Sequence, residues 1–501
     1  MPALDLIIPF VILFGIFAFL GFYGSRWRKG NLDQLHDWAL AGRKLGVTLS
    51  FFLVGADLYT AYTFVALPSS IFVKGSLYFY AVPYTAVTFG VALAFAPKLW
   101  EISRKKGYVT ASDFIRDRFN SRTLSILVAV TGIVAVTPYI ALQIVGMQAI
   151  LSAMFVWAGV SATNIEQVSL IGVILILAAF THTSGLRGAT LTAVFKSVLI
   201  WPSIVVVIVA VLIKLGGNFS TSFADAPPKY LALSYPLVPS YVTLVIGSAL
   251  ALYLYPHAVN GILSAESAHK LRLSTSLLPI NGLGLALLGL LGILINSIPP
   301  AMQFLDKFPA KSQGIYVVPS LVLNILPGWL AGVVLLGIFV GGLVPAAIMA
   351  ISQSTLLSRN IVKEFKPNLS AKRETDIAKW SSVAFKFIAL AFVFIVPASY
   401  AIELQLLGGI VILQLLPSIF IGLYSKWFRK EGLIAGLLIG TISGIFLAIE
   451  ANNFGPLNTS LFSTPFGSLY IAVIALGLNL VITTAISGVL SRHTLPVRSL
   501  G

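Results

Sequence analysis

The stretch GADLYTAYT, residues 55–63, decides how this chain folds, because it places an acid inside an apolar segment. Asp57 lies about twelve residues into the segment 46–73, which at about 1.5 Å per residue puts it near the middle of a lipid bilayer. An ionisable residue at that depth is costly and usually functional. Gly55 and Thr60 make the stretch the least apolar part of the segment, as in a helix that unwinds to offer backbone groups to a solute. The alternative is a buried Asp that only hydrogen-bonds a neighbouring helix.

The composition extends this membrane interpretation to the whole chain. Of 501 residues, 57% are apolar and 10% are charged, and the mean hydropathy is +0.94. A soluble protein of this size needs about a quarter of its residues charged, so soluble enzymes, nucleic-acid binders and disordered scaffolds are excluded. The chain has no cysteine, which excludes disulfides and thiol chemistry. We therefore expect an all-α integral membrane protein that spans the cell membrane several times.

Apolar stretches of about 20 residues, the length that spans a bilayer, recur along the sequence, and we predict about 13 transmembrane helices from them. The predicted segments, called one to thirteen below, are 4–23, 46–73, 77–97, 123–156, 165–181, 189–213, 239–258, 275–298, 328–356, 381–400, 403–424, 432–450 and 467–489. The run 123–156 is either one tilted helix or hides a break.

The basic residues predict an orientation with the N-terminus outside and the C-terminus inside. Most of the 33 Lys and Arg residues fall in the loops that this orientation places in the cytoplasm, as the positive-inside rule requires. Segment one has a basic flank after it and no basic region before it, so we interpret it as a retained helix and not as a signal peptide. Residues 1–501 are predicted to form one integral membrane domain, and the outside stretches 215–238 and 299–327 are predicted to form short lids or interfacial helices.

Lys196 is a second ionisable residue inside an apolar segment. It lies about 13 Å from the basic flank at Arg187, within the inner leaflet. A lysine at this depth either snorkels to the interface or stays internal and exchanges a proton during a transport cycle. An ion pair with Asp57 is one way to satisfy both charges.

Segment seven has a weak point in YLYPHAVN, residues 253–260. Pro256 removes a helical hydrogen bond and frees carbonyls. They lie between the hydroxyls of Tyr253 and Tyr255 and the imidazole of His257. Alternatively, Pro256 marks the cytoplasmic end of the segment and His257 lies at the interface. Gln143 in segment four is a polar residue of the kind that either contacts a ligand or bonds one helix to another.

Motifs of catalysis are not found in the sequence. It has no Walker loop, no HExxH motif and no paired carboxylates, and its five histidines do not cluster. We expect no enzymatic activity, no catalytic residues and no cofactor or metal beyond a possible sodium ion. The expected partners are a small-molecule substrate and the lipid bilayer, with no nucleic acid. The oligomeric state cannot be read from the sequence.

Four further motifs resemble the sodium:solute symporter family. They are GYVTASDFIRDRF at 107–119, LLSRNIVKEF at 356–365, YLYPHAVNGILSAES at 253–267 and GLVPAAIMAIS at 342–352. The resemblance includes segment two, covers nearly the whole chain and is closest to the monocarboxylate and proline/pantothenate permease branch.

The resemblance implies a LeuT-like core of two inverted five-helix repeats. The first repeat would be 46–213 and the second 239–424, with a leading helix at 4–23 and two C-terminal helices at 432–489. Substrate would bind midway between segments two and seven, and rocking of the repeats would give alternating access. On this basis Tyr59, Tyr62, Gln143, Tyr253 and His257 are the candidate substrate-binding residues.

The resemblance also implies a sodium site, which this sequence keeps only in part. Main-chain carbonyls of Ala56 and Tyr59 match the family's carbonyl ligands. The hydroxyl ligands of segment nine are missing, because the aligned positions are Val344 and Pro345 or, with a shifted alignment, Met349 and Ala350. Ser352, Ser354 and Thr355 replace them only if the helix slips by two or more turns.

Segment six departs from the family as well. Ala193 stands where sodium-coupled relatives have an Asp, and Lys196 follows one turn later. In some other LeuT-fold transporters a lysine on this helix puts its ammonium into the sodium position.

The sequence therefore predicts a secondary active symporter for a small organic solute, a monocarboxylate or an amino acid. The coupling ion is H⁺ through Asp57 and Lys196, or Na⁺ as in the family. The alternatives are a membrane solute sensor or receptor, which the short C-terminal tail disfavours, and a channel, for which no filter motif is found.

Overall fold

Apolar helices form nearly all of the structure, a computed structural model that describes residues 2–27, 30–56, 58–160, 163–224, 226–395 and 401–491. Within these ranges, eleven helices are long and apolar enough to cross a membrane. Helices suit this role because each satisfies its own backbone hydrogen bonds where no water is present.

In the first half of the chain, the described residues form twelve α-helices. They are α1 (Pro2–Tyr23), α2 (Leu35–Leu40), α3 (Val47–Ala56), α4 (Leu67–Lys74), α5 (Ala81–Lys106), α6 (Ala111–Phe119), α7 (Arg122–Trp157), α8 (Thr163–Lys214), α9 (Ser220–Ala224), α10 (Pro228–Leu231), α11 (Val238–Ala251) and α12 (Pro256–Ser264). Short 3₁₀ or π-helical turns lie at Ala41–Arg43, Tyr62–Ala66, Ser76–Tyr80, Tyr235–Leu237 and Leu252–Leu254.

The part of the second half that the structure describes adds eleven α-helices and two short strands. They are α13 (Ala268–Leu277), α14 (Ile280–Leu294), α15 (Pro299–Leu305), α16 (Val317–Ile325), α17 (Gly328–Leu356), α18 (Lys363–Phe365), α19 (Ala371–Ile395), α20 (Ala401–Ile412), α21 (Gly422–Tyr424), α22 (Lys430–Ala451), β1 (Leu461–Thr464), β2 (Gly467–Tyr470) and α23 (Ile471–Ser491). The 3₁₀ or π-helical turns are Ile295–Ser297, Gln313–Tyr316, Leu357–Val362, Leu413–Leu415 and Pro417–Ile421.

Two features explain why eleven long helices correspond to about 13 predicted segments. Helix α8 contains segments five and six and is interrupted at Gly185, whose φ of 54° favours glycine. A side chain at that position would also collide with Trp38. Segment two is divided into α3 and α4, each too short to count as a span. The run 123–156 is a single helix, α7.

Helix α17 lies at the centre of the molecule. The most apolar part of its span is 100% buried, and α1, α7, α8 and α19 pack around it. Helices α1, α22 and α23 lie at the periphery and expose large apolar side chains such as Phe19, Ile442 and Val481. An apolar exterior around a buried centre is what a lipid-embedded protein requires, so the prediction of a multi-pass membrane protein is confirmed.

The outside stretches form short helices, as predicted. Residues 215–238 contain α9 and α10, and residues 299–327 contain α15 and α16. The strands β1 and β2, which pair antiparallel with Leu461 opposite Tyr470, were not predicted. Neither LFST nor GSLY alternates apolar with polar residues, which is the pattern by which half-buried strands are recognised.

Candidate functional site

Segment two breaks in the stretch from which its break was predicted. Helix α3 ends at Ala56, residues 58–60 are not helical, and the π-helical turn Tyr62–Ala66 then leads into α4. Threonine hydroxyls replace the missing helical bonds, because the Thr63 hydroxyl donates to Leu58 O and the Thr60 hydroxyl accepts from Tyr62 N at 3.0 Å. The prediction of an unwound helix is confirmed.

Gln143 of α7 holds this break in place. Its Oε1 accepts a hydrogen bond from Ala61 N at 3.1 Å, and its Nε2 donates to Tyr139 O at 3.3 Å. The side chain is fully buried. The two chains come this close because α7 has a glycine, Gly146, where any side chain would overlap Ala61. Gln143 thus bonds the unwound backbone itself and not the side chain of a neighbouring helix.

Two predicted substrate residues follow the break, and both are 3% exposed. The Tyr59 hydroxyl donates to Asn281 O of α14 at 3.1 Å, so its side chain packs the break against that helix. The Tyr62 hydroxyl donates to the Tyr80 hydroxyl at 3.3 Å, and its ring lies edge-on to Tyr84 with centroids 6.4 Å apart. Tyr62 therefore belongs to a buried group of tyrosines between the break and the predicted outer side.

Segment seven breaks as well, at the proline. After α11 the turn Leu252–Leu254 is followed by Tyr255 in an extended conformation with ψ of 137°, and α12 then continues to Ser264. The predicted end of this segment at residue 258 is therefore wrong, and so is the alternative that Pro256 marks the end of the segment. A proline suits this place because its missing N–H falls in the first turn of α12, where N–H groups have no helical partner.

His257 lies just after this second break and is not at an interface. Its ring is fully buried, with centroids 5.6 Å from Tyr139 and 5.3 Å from Tyr255. Neither ring nitrogen has a hydrogen-bond partner among the described residues. Tyr253, the remaining predicted substrate residue, is 4% exposed in the turn before the break.

The two breaks meet on α7. Tyr139 contacts His257 after the second break, and Gln143, one helical turn later, bonds Ala61 in the first. Both unwound helices therefore contact the same part of α7, as expected of a substrate site formed by discontinuous helices.

Lys196 of α8 reaches the same region from another side. It is 1% exposed, and its Nζ donates to Gly341 O of α17 at 3.2 Å. The alternative that this lysine snorkels to the interface is wrong. A Cβ atom at Gly341 would lie 3.8 Å from Tyr59 O, so the ammonium, α17 and the first break come together. Asp57, its predicted partner, lies outside the described residues.

The face of α17 towards the first break offers no side-chain oxygen. Val344 and Pro345 follow Gly341 at the spacing that places residues on one helical face, and both are buried. Ser352 lies about 16 Å further along the helix. Its hydroxyl already donates to Met349 O at 2.7 Å, within its own helix. The Ser354 and Thr355 hydroxyls likewise donate within α17, both to Ile351 O.

An outer cluster, formed by Lys74, Tyr78, Glu403 and Ser460, was not predicted. Glu403 is 2% exposed and accepts from Lys74 Nζ at 2.9 Å, from the Tyr78 hydroxyl at 3.0 Å and from the Ser460 hydroxyl at 2.8 Å. The cluster joins the outer end of segment two to the start of α20. The signal in the sequence was an acid at the first position of segment eleven, which looks like an ordinary flanking charge.

An inner network, on the side predicted to be cytoplasmic, joins α6 to the end of α17 and to α19. It consists of Asp113, Arg359, Asn360, Lys363 and Glu374. Arg359 bonds Glu374 at 3.1 Å and lies 3.5 Å from Asp113, and Asn360 donates to Asp113 at 2.8 Å. Asp113 also closes the capping box of α6. Beside it, burial raises the pKa of Tyr108, and the hydrogen bond from its hydroxyl to Asp117 raises it further.

Comparison with known proteins assigns this architecture. The sequence model of the sodium:solute symporter family matches residues 38–440. The chain belongs to the sodium:solute symporter family. The monocarboxylate transport permease protein of Rhizobium johnstonii (strain DSM 114642 / LMG 32736 / 3841) is 36% identical over 500 residues, which is 98% of each chain. The uncharacterized symporter YodF of Bacillus subtilis (strain 168) is 34% identical over 433 residues, covering 84% of this chain and 83% of that one.

A solved structure of this fold is that of a Na⁺-coupled sialic acid symporter in a substrate-bound outward-open state. It matches with a TM-score of 0.74 at 16% identity, over 98% of this chain and 99% of that one. The predictions of a LeuT-like fold and of a secondary active symporter for small solutes are therefore confirmed. The family and the fold are those of transporters, and membership in the family implies coupling to sodium.

Proposed function

We propose that this symporter imports a small monocarboxylate, with the Lys196 ammonium taking the place of the coupling sodium ion and carrying the proton that drives uptake. The substrate class is supported by the monocarboxylate permease of Rhizobium johnstonii, which is 36% identical along 98% of this chain. It is also supported by the start of α12 beside the candidate site, because the first turn of a helix presents N–H groups and positive potential to an anion.

The contact between Lys196 and Gly341 O carries the proposal for the coupling ion. Sodium, a hard cation, needs five or six oxygen ligands, and the aligned positions Val344 and Pro345 supply none. An ammonium group donates up to three hydrogen bonds to oxygen acceptors. Lys196 Nζ donates to the Gly341 carbonyl, which lies beside the first break.

The contact between Lys196 and Gly341 O links protonation of Lys196 to the packing of α8, α17 and the first break. The ammonium bonds α8 to α17 directly beside Tyr59 of the broken helix. A neutral amine is a weaker donor, so loss of the proton weakens the contact that holds these three elements together. Proton binding then favours the packed state, and proton release favours opening, which is the coupling that a symporter needs.

Uptake into proteoliposomes with separately imposed gradients tests this proposal. Labelled lactate, pyruvate, proline and alanine are offered under an inward proton gradient without sodium and under an inward sodium gradient at equal pH. We expect lactate and pyruvate to enter with protons alone. Uptake that requires sodium contradicts the proposed coupling, and uptake of amino acids without monocarboxylates contradicts the proposed substrate class.

The variant Lys196→Met tests the role of Lys196 in proton coupling, since methionine has a side chain of similar length but no ammonium. We expect it to abolish proton-driven uptake while substrate exchange between equilibrated compartments persists. Lys386→Met is the matched control, because Lys386 is also fully buried but, among the residues that the structure describes, donates only to Ser382 of its own helix, at 2.8 and 3.1 Å. Equal losses in both variants, or an active Lys196→Met, contradict the role of Lys196.

A further inference from the structure

A small cavity lies between the second break and the inner network. Most of its walls come from α6, α7, α12 and α17. Pro256 of the second break lines it, and so does Thr110, whose hydroxyl donates to Asn360 of the inner network at 2.7 Å. The cavity therefore touches both the broken helix of segment seven and the contacts that close the side predicted to be cytoplasmic.

Two buried polar groups that line this cavity have no hydrogen-bond partner among the described residues. They are the hydroxyl of Ser112, in α6, and Nδ2 of Asn260, in α12. Ser112 is 0% exposed and Asn260 is 2% exposed, so bulk water does not reach them. Buried polar groups in proteins are nearly always paired, which indicates that a molecule in the cavity pairs with both.

The size and the lining of the cavity suit a single water molecule. The centre of a water-sized molecule has about 10 Å³ in which to lie, which is room for one. A transported solute is too large for that space. None of the described residues that line the cavity is charged, so an ion there would lack a countercharge in mostly apolar surroundings, at a large cost in free energy.

We propose that one buried water molecule bridges Asn260 of α12 to Ser112 of α6 and so holds the inner half of the second broken helix against the inner network. The water accepts from Asn260 Nδ2 and bonds the Ser112 hydroxyl, which can donate or accept. It also donates to the Ser352 hydroxyl of α17, whose own hydrogen goes to Met349 O. About three hydrogen bonds are typical of a buried water.

The bridge adds α12 to the elements that close the inner side. Helix α6 is fixed to the end of α17 by the hydrogen bond from Asn360 to Asp113 at 2.8 Å. Helix α12 has no Asp, Glu, Lys or Arg and cannot join this network through an ion pair. A water-mediated hydrogen bond is nearly as favourable in enthalpy as a direct one, so loss of the bridge favours the state that is open on the inner side. The inference does not depend on the substrate or on the coupling ion.

A crystallographic or cryo-EM map that resolves internal waters tests the site directly. We expect one water peak within hydrogen-bond distance of Asn260 Nδ2 and Ser112 Oγ when the inner side is closed. In Ser112→Val, whose added methyl groups take up the space, the peak should be absent. A closed-state map that shows other buried waters but none in this cavity overturns the inference.

Cysteine labelling tests the role of the water in closure. Ser264→Cys is the reporter, because Ser264 lies at the inner end of α12 and is 0% exposed, so that a maleimide reaches it only after opening. Asn260→Leu keeps a side chain of similar size and removes the donor, and we expect it to speed labelling about 5- to 150-fold. Ser112→Ala should do the same. The double variant should label no faster than the faster single variant, since either change breaks the same bridge.

Asn479→Leu is the matched control for the loss of a buried amide. Asn479 is 1% exposed and donates to Gln414 O at 2.9 Å, in α23 and outside the cavity. The control should lower the melting temperature without changing the labelling rate. Unchanged labelling in both Asn260→Leu and Ser112→Ala overturns the inference, and so do effects that add in the double variant. Equal acceleration in Asn479→Leu would show general loosening and would overturn it as well.

Discussion

At the scale of single residues, the candidate site depends on neutral groups as much as on charges. Gln143 bonds the backbone of the first break, and Lys196 bonds a carbonyl beside it. The Gln143 side chain stabilises a stretch of backbone that lacks helical hydrogen bonds, whereas Lys196 bonds a carbonyl of the continuous helix α17. A broken helix persists in an apolar surrounding only where such partners exist, because an unpaired buried backbone group costs several kcal/mol.

Gln143→Leu tests whether the first break needs a hydrogen-bond partner for its unwound backbone. The variant keeps the shape but leaves Ala61 N without a partner, which should cost about 1–3 kcal/mol and weaken apparent substrate affinity about 5- to 150-fold. Gln414→Leu is the matched control, because Gln414, in the turn after α20, donates to Ala472 O of α23 at 3.3 Å and is not part of either break. Gln414→Leu should lower the melting temperature without changing substrate affinity. Titration calorimetry measures the affinity of both variants. Equal effects on affinity contradict the role of Gln143.

Sequence reasoning found some of these residues and missed others for physical reasons. Asp57, Lys196 and Gln143 stand out because polar groups are rare in apolar segments. Gly341 gives no signal, since it contributes only a carbonyl, which every residue has. Glu403 is hidden by its place at a segment end, where acids are common. Predicted roles at Ala56, Tyr59, Tyr62, Tyr253 and His257 stay predictions.

At the scale of elements, the positions of the breaks can be predicted from the local sequence. The helices that each break contacts cannot be predicted in this way. Pro256 and the GADLYTAYT stretch mark both interruptions, and both were predicted. Which helix faces the breaks is set by tertiary packing, so the position of α7 between them follows only from the structure. The boundaries of the two repeats, 46–213 and 239–424, likewise stay predictions.

The outer cluster gives a prediction about packing between elements. Glu403 is 2% exposed, whereas the Lys74 side chain is 41% exposed and can turn to water. Lys74→Met therefore leaves a buried carboxylate without its cation, and Glu403→Gln leaves an ammonium that is readily hydrated. We expect Lys74→Met to lower the melting temperature in detergent more than Glu403→Gln does.

The double variant Lys74→Met with Glu403→Gln separates charge from packing. If the unpaired carboxylate causes the loss, removing it should recover part of the melting temperature of Lys74→Met. A double variant less stable than either single variant would show that side-chain packing, and not the buried charge, holds α4 to α20.

At the scale of the whole molecule, the candidate site is closed on both sides. His257, Gln143 and Lys196 are at most 1% exposed, with the outer cluster intact above them and the inner network intact below. Alternating access requires each closure to open while the other holds. The outer cluster stabilises closure on the outer side and the inner network stabilises closure on the inner side. Weakening either one should favour the state that is open on its own side.

Cysteine labelling measures opening on each side directly, since the chain has no cysteine of its own. Ser352→Cys reports on the inner side, where Ser352 lines a cavity with Asn260, and Ser248→Cys reports on the outer half of segment seven. Both serines are at most 2% exposed, so a maleimide reaches them only after opening.

Glu374→Gln should speed labelling of Ser352→Cys and slow that of Ser248→Cys, and Lys74→Met should do the reverse. Loss of about 1.4 kcal/mol from either closure shifts the populations about tenfold, and the labelling rates should shift by the same order. Glu266→Gln, which breaks an exposed ion pair with Lys270, is the control and should change neither rate. Faster labelling at both positions in each variant would mean general loosening, and the two closures would then not be the alternating gates of this symporter.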